Sequence, residues 1–124
     1  MKSYLKIRTK AFSYAIKGLS HFIKEPHARI HIGFLILVNI MAYYLSISKM
    51  EWLAILLCCA LVLSLEAINS AIEHLTDIIS PNFNVQAGLV KDIAAAAVLL
   101  ASIFSAIIGL IIFAPKMMDL FNFQ

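Results

Sequence analysis

From Trp52 to Leu65 the chain carries no charged side chain and one hydroxyl, that of Ser64. Directly afterwards come Glu66, Asn69, Glu73 and Asp77. Spacings of three, four and four put this quartet on one helix face, within an arc of about 80°. The apolar run needs a protein core or a bilayer around it. A chain of 124 residues that is 62% hydrophobic and 14% charged has too little polar surface for a soluble globule, which leaves the bilayer. Ionisable groups are costly there, so the quartet marks a candidate functional site.

The expected fold is all-α and integral to the membrane, one domain over residues 1–124. Residues 1–25 form a surface segment. Within it the spacing of Leu5, Phe12, Ile16, Leu19 and Ile23 predicts an amphipathic helix over 3–24, with Lys6, Lys10, Lys17 and Lys24 as a basic face for anionic headgroups. Glu25-Pro26 breaks the helix. Three transmembrane helices are expected over 28–47, 50–79 and 91–113. Ser46, Ser48 and Lys49 mark the end of the first, Pro81-Asn82 ends the second, the polar stretch NFNVQAG makes the return, and Pro115 stops the third. Thirty residues give about 45 Å of helix against a ~30 Å hydrocarbon core, so the end of the second span projects into water.

Lys2, Lys6, Arg8, Lys10, Lys17, Lys24 and Arg29 crowd the first quarter. That bias puts the N-terminus in the cytoplasm and, after three spans, the C-terminus outside, although Lys49 and Lys116 pull the other way. No apolar segment with a cleavage site precedes the basic region, so no secretory leader is expected. Cys58 and Cys59 are adjacent in an apolar run and read as packing residues. Ser64 and Ser70 read as packing or back-bonding residues, Ala94 to Ala97 as a close helix contact, and His21, His27 and His74 as interfacial polar groups.

Depth orders the polar face. Glu66 lies about 21 Å of rise beyond Trp52, inside the cytoplasmic leaflet; Glu73 is near the interface and Asp77 near water. Lys91 and Asp92 return to that level at the start of the third span, and Glu25 and Arg29 sit there at the start of the first. Carboxylates suit a hard cation such as Mg²⁺, a lysine suits phosphate oxygens, and a deeper carboxylate can accept a proton from a hydroxyl. The set fits phosphoryl transfer to a lipid alcohol. No Gly-rich phosphate loop is present, since Gly18, Gly33, Gly88 and Gly109 are scattered singly. Acids on a membrane helix equally suit a small ion-conducting subunit, and the residues alone leave both readings open.

The string EAINSAIEHLTD, followed by VKDIAAAAVL, closely resembles the small prokaryotic diacylglycerol kinase family, which includes the undecaprenol kinases. Glu66, Asn69, Ser70, Ala71, Ile72, Glu73 and Asp77 match the first half of that family's pattern, and Lys91 and Asp92 the second. The resemblance covers nearly the whole chain. It implies a surface helix, three transmembrane helices, a homotrimeric bundle with shared sites, ATP with Mg²⁺, a bacterial cytoplasmic-membrane location and no nucleic-acid partner. It implies Glu66 as general base, Glu73 and Glu25 as metal ligands, and Asn69, Glu73, Asp77, Lys91, Asp92 and Arg8 around the nucleotide. Two positions depart from the family's diacylglycerol-type pattern: His31 stands where a second acid is common and Asn84 where histidine is common. The His31 pattern looks more like the undecaprenol-kinase branch, so undecaprenol is the favoured acceptor and diacylglycerol the alternative.

Overall fold

The computed structural model describes the backbone of residues 2–122 and the side chains of 7–120. Four helices account for nearly all of it: α1 (Lys2–Phe22), α2 (Pro26–Tyr44), α3 (Lys49–Ile79) and α4 (Val85–Asn122). The described residues contain no strand. Helices α2, α3 and α4 run up, down and up, with α3 packed chiefly on α4 and less on α2, while α1 touches the rest lightly. Two helices, Lys49–Ile79 and Val85–Leu120, are long and apolar enough to cross a membrane. Helix α2 is shorter, at 19 residues, and His27, Arg29, His31 and Asn39 dilute its apolar character.

Local chemistry explains the joints. Pro26 opens α2 with its φ already helical, and Glu25 before it is extended, at φ −72° and ψ 142°. Helix α2 ends in a Schellman turn. The Ile47 N–H donates to the Ala42 carbonyl, the Ser46 N–H donates to the Tyr43 carbonyl, and Ser46 takes the left-handed position at φ 48°. Two residues later Ser48 caps α3: its hydroxyl accepts from the Glu51 N–H at 3.3 Å, and the Glu51 carboxylate accepts from the Ser48 N–H at 2.6 Å.

Helix α4 differs from expectation at both ends. It starts at Val85, six residues before Lys91, because the Asn84 side-chain oxygen accepts from the N–H groups of Gln86 and Ala87. The segment VQAG is therefore helix and not return loop. Nor does Pro115 stop α4, which continues to Asn122. Proline removes one backbone bond and crowds the turn before it. The next residue, Lys116, is held to Glu51 at 3.2 Å, and that tie fastens the continuing helix to α3.

The apolar core lies at this end of the bundle. Ala42, Ile47, Ile55, Ile112 and Phe113 form one buried cluster, flanked by Val38, Met41, Leu45, Trp52, Ala54, Cys59 and Ile108. Large apolar side chains elsewhere, among them Phe34, Leu57, Leu99, Leu110 and Ile111, face outwards. A soluble protein of this size does not expose so much apolar surface; lipid or neighbouring chains cover it.

Candidate active site

At the opposite end, about 33 Å of helix rise along α3 from Glu51 to Glu73, the buried residues are polar. Glu66, Asn69 and Ser70 are 7–8% exposed. A buried polar group needs a partner, and the partners define the site. The Asn69 amide donates to Glu73 Oε1 at 3.0 Å. Its own carbonyl oxygen, Oδ1, is buried and accepts nothing among the described residues. His31 Nε2 of α2 lies 3.9 Å from Glu66 Oε2, with the histidine side chain 28% exposed and the glutamate 9%. Lys91 at the start of α4 donates to Asp77 at 2.7 Å.

Glu25 caps α2 in sequence only, since its carboxylate makes no cap hydrogen bond. It reaches across to α3, where the Ser70 hydroxyl donates to Oε2 and His74 Nε2 sits 3.1 Å from Oε1. The Ser70 hydrogen bond is the main reason the Glu25 carboxyl is held below its ordinary value, with His74 adding to it and partial burial opposing. Ser70 and His74 lie roughly 40–80° round the helix from Glu66, and Asn69 about 60° to the other side. Beside Glu25 an open cleft of about 600 Å³ separates α1 from α3, lined by Ala15, Gly18, Ala67, Ala71 and others.

The sequence-predicted residues thus assemble in three groups: Glu66 with His31, Asn69 with Glu73, and Asp77 with Lys91. Glu25 and Glu73, expected together as metal ligands, bond to different partners. Asp92 is exposed on α4 and Arg8 on α1. Sequence reasoning missed Ser70 and His74, read as a packing residue and an interfacial one, and gave His31 no partner. Helical spacing carried the signal for Ser70 and His74, at the margin of the Glu66 face; only the approach of α2 shows what they bind.

The residues fit a magnesium nucleotide. Glu73 and the unpartnered Asn69 Oδ1 are oxygen donors on neighbouring turns of α3, the kind Mg²⁺ prefers. Among the described residues no three His, Cys, Asp or Glu side chains converge to hold a metal alone. Mg²⁺ is commonly bound by one or two carboxylates plus substrate phosphates, so a full protein cage is not required.

The family model described as prokaryotic diacylglycerol kinase matches residues 13–113. The chain belongs to that family, and so to the lipid kinases. Among its relatives, an undecaprenol kinase from Bacillus subtilis is 36% identical over 87% of this chain and 89% of its own length. A diacylglycerol kinase from Synechocystis is 32% identical over 89% of this chain, which spans 64% of that longer protein. A diacylglycerol kinase from Escherichia coli is 32% identical over 79% of this chain and 81% of its own. For a lipid kinase, one cluster at one end of the helices is the useful arrangement: a nucleotide arrives from water and an acceptor from the bilayer.

Proposed function

We propose that this protein transfers the γ-phosphate of ATP to the primary hydroxyl of a membrane lipid, with undecaprenol the favoured acceptor. The observation that carries the reading is the buried Glu66 carboxylate, three or more residues further along the polar face from the helix end than Asn69, Glu73, Asp77 and Lys91 on α3 and its neighbour. A group at that depth meets a lipid hydroxyl; groups nearer the helix end meet phosphates. Undecaprenol is preferred because the B. subtilis relative bearing that name aligns along most of both chains. Diacylglycerol, named for the other relatives, is the second reading.

In this scheme Glu66 accepts the hydroxyl proton. Asn69 orients Glu73 through their hydrogen bond, and Glu73 with the Asn69 carbonyl would hold Mg²⁺, joined by Glu25 of the same or an adjacent subunit once it leaves Ser70 and His74. Mg²⁺ would supply charge neutralisation for the transferring phosphoryl group. Lys91, held by Asp77, offers a point charge to the phosphates, with Asp92 and Arg8 contributing to nucleotide positioning. The basic α1 lies on the cytoplasmic surface, α2 joins α3 and α4 as a third span, and the C-terminus is outside. Three chains form a trimer that covers the outward apolar faces and the polar flank of α2 and α3.

A side-by-side acceptor panel tests the reading. Purified protein in mixed micelles with ATP and Mg²⁺ is expected to phosphorylate undecaprenol faster than diacylglycerol. Well-folded protein that phosphorylates no lipid alcohol, or that passes ions through liposomes without ATP, sinks it. Mixing inactive Glu25→Gln and inactive Glu73→Gln chains tests shared sites. Activity should reappear in some mixed oligomers, and its absence with co-assembly verified favours sites built within one chain.

A further inference from the structure

We propose that His31 serves Glu66 as a positioning residue and takes the proton that Glu66 captures, passing it towards water. The inference rests on the lipid-kinase reading above and extends it to a residue that reading does not use.

Glu66 is on the deepest part of the polar face, and none of the neighbouring amides or hydroxyls serves it. The Asn69 amide donates to Glu73, and the Ser70 hydroxyl to Glu25. The cationic partner that does approach the Glu66 carboxylate is His31, on α2. The distance, 3.9 Å from Nε2 to Oε2, is longer than a hydrogen bond, and a side-chain shift of about 1 Å closes it. Catalytic hydrogen bonds are often long before substrate is bound. Exposure gives the pair a direction, because the histidine side chain is about three times as open as the glutamate. A base enclosed by helices must shed each proton it takes before the next turnover. The imidazole is the more exposed member of the pair, and that role falls to it.

The charged groups nearest the site are mostly engaged elsewhere. On α3, Glu73 is bonded to Asn69, and Asp77 to Lys91 of α4, where Asp92 is exposed. At the start of α2, Glu25 is taken by Ser70 and His74, with His27 and Arg29 exposed beyond it. On α1, His21 lines the cleft beside Glu25.

The step balances as follows. The acceptor oxygen forms a bond to the γ-phosphorus as its O–H bond breaks. The bond from the γ-phosphorus to the β–γ bridging oxygen breaks, and its electron pair leaves on the nucleoside diphosphate. The hydroxyl proton moves to Glu66 Oε2, then to His31 Nε2, and the imidazolium releases a proton to water.

The test uses the full chain in mixed micelles, with ATP, Mg²⁺ and the acceptor that the unmodified protein uses best. His31→Ala should lower kcat about tenfold or more, with KM for ATP within about twofold. Added imidazole should restore kcat in His31→Ala and leave Glu66→Gln unchanged. His31→Gln keeps a polar side chain of similar reach that cannot carry a proton. It should remain slow, with a kcat–pH profile that differs from that of the unmodified protein. A His31→Gln enzyme with the unmodified kcat and pH profile, or a His31→Ala defect that imidazole does not touch, overturns the proposal while leaving the lipid-kinase reading intact. An unmodified protein that phosphorylates no lipid alcohol overturns both.

Discussion

The two ends of α3 solve opposite problems. Around Ile55 the helix meets α2 and α4 through apolar side chains, and its polar groups are confined to the rim, where Ser48, Glu51 and Lys116 tie the ends together. Around Glu66 to Asp77 the same helix turns polar groups inwards, and each neighbour contributes a polar tether in place of a packed side chain. Packing against lipid gains little from hydrophobicity alone, so the apolar end is held by fit and by its caps. The polar end is held by hydrogen bonds that a substrate can exchange. One end is built to stay shut and the other to be used.

Five substitutions probe that contrast, from the largest effect to the smallest. Glu66→Gln should lower lipid phosphorylation at least ~100-fold, which is about 2.7 kcal/mol or more, with thermal stability almost unchanged. Near-full turnover in this variant removes Glu66 as the base. Glu73→Gln, by comparison, should also shift the Mg²⁺ dependence to higher concentration.

Ile55→Ala should do the reverse. Ile55 is 2% exposed in the apolar cluster. Removing its methyl groups leaves a space that costs about 1–3 kcal/mol of stability in detergent unfolding, with residual turnover per folded molecule close to normal. A large loss of turnover without loss of stability would mean that the closed end communicates with the site.

Ser48→Ala removes half of the capping box and should cost about 1 kcal/mol, read as a lower unfolding midpoint with unchanged ATP dependence. No shift would show that the Lys116–Glu51 tie holds the end by itself.

The smallest effect belongs to Ser70→Ala, which acts through Glu25. Its carboxyl is held below the ordinary value of 4.5, first by the Ser70 hydroxyl. A depressed folded-state value contributes stability that is present above about pH 4.5 and lost as pH falls through the lowered value. Hydrogen exchange at the α1–α2 joint should therefore quicken on acidification below that range. Ser70→Ala removes the main cause, so its pH slope should be shallower. An unchanged slope in Ser70→Ala would show that the Glu25–Ser70 bond does not govern the joint.

Much of this was legible in the residues. Glu66, Asn69, Glu73 and Asp77 share a face because a helix turns about 100° per residue, whatever surrounds it. The apolar stretches of α3 and α4 reveal themselves for the same reason: length and hydropathy need no tertiary contact. Pro26 acts on its own neighbours and marks a real helix start; Ser48, read as the end of the first span, caps the start of the second. Pro115 misled because its local cost is outweighed by the long apolar helix on both sides of it, tied by Lys116 to Glu51. Asn84 misled because an asparagine reads equally as turn or cap until the next N–H groups are placed.

What the sequence by itself determined is periodicity: which residues share a face, and how deep each lies along α3. Only the tertiary structure decided the pairings. Glu25 meets Ser70 and His74, His31 meets Glu66, and Lys91 meets Asp77, across separations of 45 and 49 residues for the first two contacts and 14 for the last. Such contacts depend on the rotation and register of one helix against another. Those are set by side-chain fit over the whole interface, a sum of many small terms that no single stretch of chain records.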